Sequence, residues 1–174
     1  MKLIYTGAQG TGKSTMLRLT PIDNKITEVV RQMAKQGVKI NRDGDEESQK
    51  SIFNAYMGLL NQDGEWVSDR GLTDVLAYTM YLYANNPGLD LGDIMTEQLR
   101  ELRNYNREHQ DVIYVYFPIE FPVVGDGVRD TDEVYRSTID RYIKDLLIMS
   151  NAHFITITGD VKNREKTIRN LLGR

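Results

Sequence analysis

Eight residues near the start of the chain, Gly7-Ala8-Gln9-Gly10-Thr11-Gly12-Lys13-Ser14, constrain its fold more than any other stretch. They follow the apolar run Leu3-Ile4-Tyr5 and precede Thr15-Met16-Leu17-Arg18-Leu19, which reads as helix. A strand, a glycine-rich turn ending in Lys and a hydroxyl, and then a helix form the G-x-x-x-x-G-K-[ST] arrangement in its required context. Glycines let backbone N–H groups close round an anion, and the helix presents its positive end to the same point. This is a polyphosphate cradle, so Gly7 through Ser14, with Thr15, are the candidate nucleotide-binding residues. Lys13 would reach the terminal phosphates and the Ser14 hydroxyl would hold Mg²⁺. A turn that bound nothing would leave that Lys and hydroxyl without a packing purpose at the end of a buried strand.

The 174 residues suffice for one domain with a sizeable core and not for two, so residues 1–174 are read as a single domain. The net charge is −3 and the basic residues are spread along the chain, without the basic stripe that grips a duplex. Nucleic acid is therefore admitted only as an acceptor and is not favoured. No cysteine is present, which excludes disulfides, thiolate metal sites and a cysteine nucleophile together. Met1-Lys2-Leu3 enters a strand directly and no apolar run is long enough to cross a bilayer, so a cytoplasmic enzyme without a membrane partner is expected. The oligomeric state, a homodimer included, stays open.

Along the chain, Ile26-Thr27 ends a short second strand, and Val29, Val30, Met33 and Ala34 have helical spacing up to Gly37. Residues 41–47 are polar and acidic and predict a mobile loop before a helix over 48–60. Trp66-Val67-Ser68 reads as a third strand, 72–83 as a buried helix closed by Asn85-Asn86-Pro87-Gly88, and 91–107 as a further helix. Val112 to Phe117 is the clearest buried strand, β-branched and aromatic throughout. A flexible segment then leads to a helix over 133–149, a strand over 153–157, a Gly159-Asp160 turn and a terminal helix. Strands alternating with helices predict an α/β fold with a parallel sheet covered on both faces. Such sheets bind ligands beyond the carboxyl ends of their strands.

At those ends stand Glu28 and Arg31, Asp69 and Arg70, Arg129 and Arg136, and Gly159 with Asp160. Phosphoryl transfer needs cations to spread charge, a carboxylate to orient the acceptor or metal, and exclusion of water. Asp69 is placed to hold Mg²⁺ with Ser14 or to accept a proton, and equally to cap the next helix. Arg70 suits a bidentate phosphate grip, or an ion pair with Asp74. Glu28 and Arg31, one helical turn apart, face an acceptor together or pair with each other. Arg129 and Arg136 belong to a lid-like segment over about 122–136 with hinge glycines, and are candidate transition-state cations. Gly159 and Asp160 are candidates for the donor side. Tyr56, Tyr78, Tyr81 and Tyr83 could stack on an acceptor base or fill the core. His109 and His153 read as structural.

The phosphate loop, Thr27-Glu28-Val29-Val30-Arg31, the run Ser68 to Tyr78 and Asp126-Gly127-Val128-Arg129 together resemble the small P-loop kinases of the nucleoside and nucleotide kinase superfamily. The narrower likeness is to the AAA-type ATPase/kinase group that includes nicotinamide riboside kinase domains and phage-encoded kinases. The resemblance implies a three-layer P-loop NTPase fold, a five-stranded parallel sheet in the order 2-3-1-4-5, ATP with Mg²⁺ as donor, and a lid arginine reaching the phosphates. By likeness to thymidylate kinases, Asp69-Arg70 matches the pair whose arginine touches an acceptor monophosphate. By likeness to deoxynucleoside kinases, Glu28 stands where a glutamate serves as base. The Arg-Glu-Pro that thymidylate kinases carry after the second strand is absent, and the stretch from Val112 to Phe117 holds no Walker B aspartate of a motor. A nucleoside monophosphate acceptor is the leading expectation. Nucleosides, a hydroxymethylated DNA base and a regulatory nucleotide-binding module are the alternatives.

Overall fold

The computed structural model describes residues 1–122 and 132–174 of the chain. Five parallel strands form one sheet in the order β2-β3-β1-β4-β5, as the resemblance implied. They are β1 Lys2–Thr6, β2 Lys25–Ile26, β3 Trp66–Asp69, β4 Val112–Tyr116 and β5 Phe154–Thr156. The helices are α1 Lys13–Leu19, α2 Val29–Lys35, α3 Glu46–Leu60, α4 Leu72–Asn85, α5 Gly92–Glu108, α6 Glu133–Met149 and α7 Val161–Leu171.

The alternation of side chains along each strand divides the interior in two. Leu3 and Tyr5 point to one face, where Met16 and Leu17 of α1 and Ile168 of α7 cover them. Ile4, Trp66, Tyr114 and Tyr116 point to the other, into a larger core with residues of α3, α4, α5 and α6. Fully burying side chains of this kind contributes about 1.5–3 kcal/mol each. A central strand covered on both faces must be apolar at consecutive positions, which is why Leu3-Ile4-Tyr5 shows no alternation.

The expected loop over 41–47 is shorter than the sequence suggests. A 3₁₀ turn occupies Asn41–Asp43 and α3 begins at Glu46. The Asp45 carboxylate accepts from the Ser48 N–H at 2.9 Å while the Asp45 N–H donates to Ser48 Oγ at 2.8 Å. The reciprocal cap starts the helix early and is disguised in the sequence because Ser, not Glu or Gln, fills its far position. Among the described residues, no helix is long and apolar enough to cross a membrane.

Two registers position the phosphate loop between its neighbours. Tyr5 of β1 lies opposite Asp69 of β3, and the Arg70 N–H donates to the Tyr5 carbonyl at 2.9 Å. Thr6 lies opposite Tyr116, with the Phe117 N–H donating to Thr6 O at 2.9 Å. The loop therefore leaves the sheet with Asp69 on one side and Phe117 on the other.

Candidate active site

Sterics explain the loop's composition at two positions. A Cβ on Gly7, whose φ is +140°, would lie 2.4 Å from the Phe117 carbonyl oxygen. One on Gly12, φ +92°, would lie 2.9 Å from Arg164 Nη1. Gly12 precedes α1 without a side-chain cap. The first turn of that helix thus keeps its backbone donors available. Lys13 is 5% exposed and curls along the loop, donating from Nζ to Gly7 O at 2.8 Å, Ala8 O at 2.7 Å and Thr11 Oγ1 at 3.3 Å. The Thr11 hydroxyl donates to Ala8 O at 3.0 Å.

Beside the loop, Ser14 Oγ donates to Asp69 Oδ2 at 2.9 Å. The second carboxylate oxygen, Asp69 Oδ1, is buried and has no hydrogen-bond partner among the described residues. A buried acceptor left open next to a hydroxyl is the oxygen set that suits a hard cation which keeps several waters. The residues present therefore fit Mg²⁺. No cage of three or more His, Cys, Asp or Glu side chains exists among the described residues, so the remaining ligands would be phosphate and water oxygens. Asp69 does not cap α4. The Gly71 N–H is instead taken by Asp74 Oδ2 at 3.1 Å.

From Lys13 and Ser14 a pocket of about 340 Å³ runs outward between α2, the 41–43 turn, α3 and α4. Loop residues Gln9 to Thr15 form its inner end, while Gly7 and Ala8 lie at the loop's base. Glu28, Arg31, Asp69 and Arg70 are brought together on its walls. Glu28 Oε2 and Arg31 Nε are 3.4 Å apart, both side chains half-exposed, so the pair forms and still faces the pocket. Arg70 Nη1 donates to the Tyr78 hydroxyl at 3.3 Å and stands 4.0 Å from Asp74 Oδ1, and Tyr78 OH donates to Gln9 Oε1 at 3.0 Å. Of the tyrosines, Tyr56 and Tyr78 line the pocket, Tyr81 packs edge-on against Tyr135, and Tyr83 is half-exposed.

Backbone strain concentrates here. Non-glycine residues with left-handed backbone, among those described, are Glu28 (φ +59°), Asn41 (+56°), Arg70 (+80°) and Asn151 (+53°). The first three line the pocket. Each costs of order 1–3 kcal/mol and persists where surrounding structure enforces it, as at binding sites.

Several residues that matter carry weak sequence signals. Asp74 is 1% exposed, accepts from Thr6 Oγ1 at 2.8 Å, and burial pushes its carboxyl above the ordinary range. Its signal is a lone acid within the apolar run of α4. Gln49, also buried, lines the pocket and accepts from Thr79 Oγ1 at 2.9 Å. Arg164, 3% exposed, donates from Nη1 to Thr11 O at 2.6 Å and pairs with Glu120. It lies four residues before the inward Ile168, the spacing that could have revealed it.

Other expected residues lie differently. Arg136 is fully buried, its Nε donating to Gln9 O at 2.8 Å, and it is not among the residues that line the pocket. Gly159 donates its N–H to Glu120 at 3.0 Å and Asp160 caps α7 through Asn163 N, and neither lines the pocket. Arg129 lies outside the described residues, as does most of the lid-like segment. His109 packs on Tyr105 at a ring distance of 4.3 Å.

The fold and loop define a P-loop protein, its phosphate loop set between β1 and α1 of a five-stranded parallel sheet. The family model of the AAA domain matches residues 2–164, and the chain belongs to that family. No curated protein sequence matches it. Among solved structures, it resembles deoxyadenosine kinase from M. mycoides, with dCMP and dCDP bound, at a TM-score of 0.64 and 17% identity over 99% of both chains. It resembles NadR in complex with NR at a TM-score of 0.68 and 14% identity, over 99% of this chain and 51% of that one. Thymidylate kinase from Ehrlichia chaffeensis aligns over 100% of this chain and 98% of its own, at a TM-score of 0.54 and 16% identity.

Proposed function

We propose that this chain is a phosphotransferase that moves a phosphoryl group from ATP, held with Mg²⁺ at the phosphate loop, to a nucleoside or nucleotide, with a nucleoside monophosphate as the leading acceptor. One observation carries the reading: a single pocket begins at Lys13 and Ser14 and ends between Glu28, Arg31 and Arg70. A donor site and an acceptor site that open into one another are what direct transfer requires. A regulatory nucleotide-binding module has no use for the second half.

Lys13 and the loop amides would bind the donor phosphates, and Ser14 and Asp69 would hold the metal, which when bound supplies charge neutralisation between the phosphates. Arg70 and Arg31 form a cationic wall suited to an acceptor phosphate. Glu28 would orient the attacking oxygen, and would take up its proton where that oxygen belongs to a nucleoside hydroxyl rather than to an already ionised monophosphate, as the acceptor oxygen–phosphorus bond forms and the donor's bridging bond breaks. Arg129 is proposed to add a further cation over the donor. Asp69 remains the other carboxylate that could orient the acceptor.

A nucleoside acceptor is the second reading, favoured by the Glu28 carboxylate, which caps nothing on its own helix and lines the pocket. The structural relatives, a deoxyadenosine kinase, a thymidylate kinase and NadR bound to NR, support a nucleoside or nucleotide acceptor without choosing between them. The test is ADP release with ATP and Mg²⁺ against a panel of nucleosides and their monophosphates. Transfer to nucleosides alone would overturn the monophosphate choice. Slow hydrolysis of ATP with every acceptor ignored would overturn the phosphotransferase.

A further inference from the structure

Two arginines far from the phosphate loop in sequence end on its outer side. Arg136 of α6 is fully buried, and its Nε and Nη2 donate to Gln9 O at 2.8 Å and Gly10 O at 3.3 Å. Arg164 of α7 is 3% exposed, and its Nη1 donates to Thr11 O at 2.6 Å. Each has a carboxylate behind it, Glu133 at 3.2 Å from Arg136 Nη1 and Glu120 against Arg164 Nη2. Three consecutive loop carbonyls are thus held by guanidinium groups. An apolar covering would leave these carbonyls without donors, whereas each guanidinium, paired with its carboxylate, satisfies them in directions fixed by its planar fork.

The geometry of the peptide unit explains what the buried charges achieve. It is planar and trans, so a carbonyl held on one side sends the next residue's N–H to the other. Fixing the carbonyls of Gln9, Gly10 and Thr11 outward turns the N–H groups of Gly10, Thr11 and Gly12 toward the pocket, which those three residues line. We propose that Arg136 and Arg164 are positioning residues that preorganise the loop amides for the donor polyphosphate. Their effect therefore falls on donor affinity and leaves acceptor affinity alone. The Arg164 half reaches further: Glu120 also accepts from the Gly159 N–H at 3.0 Å, tying the β5–α7 turn to the same clamp. Gly12 is matched to it, since a side chain there would collide with Arg164 Nη1. The proposal rests on the phosphotransferase reading only in naming ATP as the polyphosphate.

The experiment is calorimetric titration of the full chain with Mg-ATP and, separately, with inorganic tripolyphosphate. Wild type is compared with Arg136→Lys, Arg164→Lys, Glu120→Ala and Glu133→Ala, and acceptor KM is measured alongside. Lysine keeps the charge and loses the fixed fork. Each lysine variant is expected to weaken both titrants about tenfold, the loss of one charge-assisted hydrogen bond, with acceptor KM unchanged. Line broadening of the Gly10, Thr11 and Gly12 amides should accompany the loss. Should a lysine variant fail to fold, alanine at the partly exposed carboxylate behind that arginine, Glu120→Ala for Arg164 or Glu133→Ala for Arg136, makes the same test by freeing the guanidinium from its partner. Folded variants that bind tripolyphosphate as tightly as wild type, or that lose donor and acceptor affinity alike, would overturn the clamp. Clamp effects in a protein that never transfers phosphate would support the clamp and overturn the phosphotransferase. A wild type that binds neither titrant would overturn both.

Discussion

Ser14 Oγ donates to Asp69 Oδ2 at 2.9 Å across 55 positions of sequence, and Asp69 Oδ1 beside it is buried without a partner among the described residues. The pair joins the end of the phosphate loop to the end of β3. It leaves an unused acceptor pointing where a cation would complete it. Replacing Asp69 with Asn keeps the shape and removes the charge. The rate should fall about 10²–10³-fold, the scale of losing one preorganised electrostatic group, and the Mg²⁺ needed for half-maximal rate should rise. A Mg²⁺ titration identical to wild type would remove Asp69 from the metal site.

Lys13 is buried along the loop with its ammonium on three oxygen acceptors, so its removal touches both chemistry and packing. Lys13→Met keeps the apolar stem and should abolish measurable transfer while thermal unfolding stays cooperative. Retained transfer in steady-state assays would exclude the loop from the mechanism.

Asp45 starts α3, the helix that brings Gln49, Ile52 and Tyr56 to the pocket wall. Asp45→Ala should cost about 1 kcal/mol in urea unfolding, the usual worth of such a cap. Acceptor KM should rise more than donor KM, because α3 supplies Gln49, Ile52 and Tyr56 to the pocket wall and no residue of the phosphate loop. The hydrogen bond from Lys39 holds the Asp45 carboxyl below its ordinary value of 3.8. Its contribution is present above that value and is lost as pH falls through the lower folded-state value.

Asp74 titrates in the opposite sense. Burial raises its carboxyl above the ordinary 3.8, with the Arg70 charge opposing that shift only in part. The folded chain holds this proton more tightly than the unfolded chain. Stability from this group is therefore fully present below 3.8 and declines as pH rises through the folded-state value. In urea unfolding across a pH series, wild-type stability minus that of Asp74→Asn should fall with rising pH in that window. A difference independent of pH would contradict the assignment.

How much of the molecule is legible in sequence depends on how local each determinant is. The phosphate loop is readable in full, because its turn, its glycines and its Lys-Ser pair are contiguous and each has a steric or electrostatic reason to be there. So are β4, whose residues are β-branched and aromatic throughout, and α6, whose bounds agree with the expectation of 133–149. The start of α3 is hidden because its cap uses an uncommon partner. Glu28 and Arg31 are legible as neighbours because helical spacing fixes that distance within one turn.

By itself the sequence determined a polyphosphate cradle on an alternating α/β chain, since strand pattern, turn chemistry and helix start are short-range properties. Only the tertiary structure decided which side chains face that cradle. It turned Arg136 and Arg164 onto the loop's outer carbonyls, sank Asp74 beneath the pocket and left Asp69 half-satisfied beside Ser14. The reason is physical: a buried charge must find its partner wherever packing brings one, and packing joins residues that sequence spacing cannot relate.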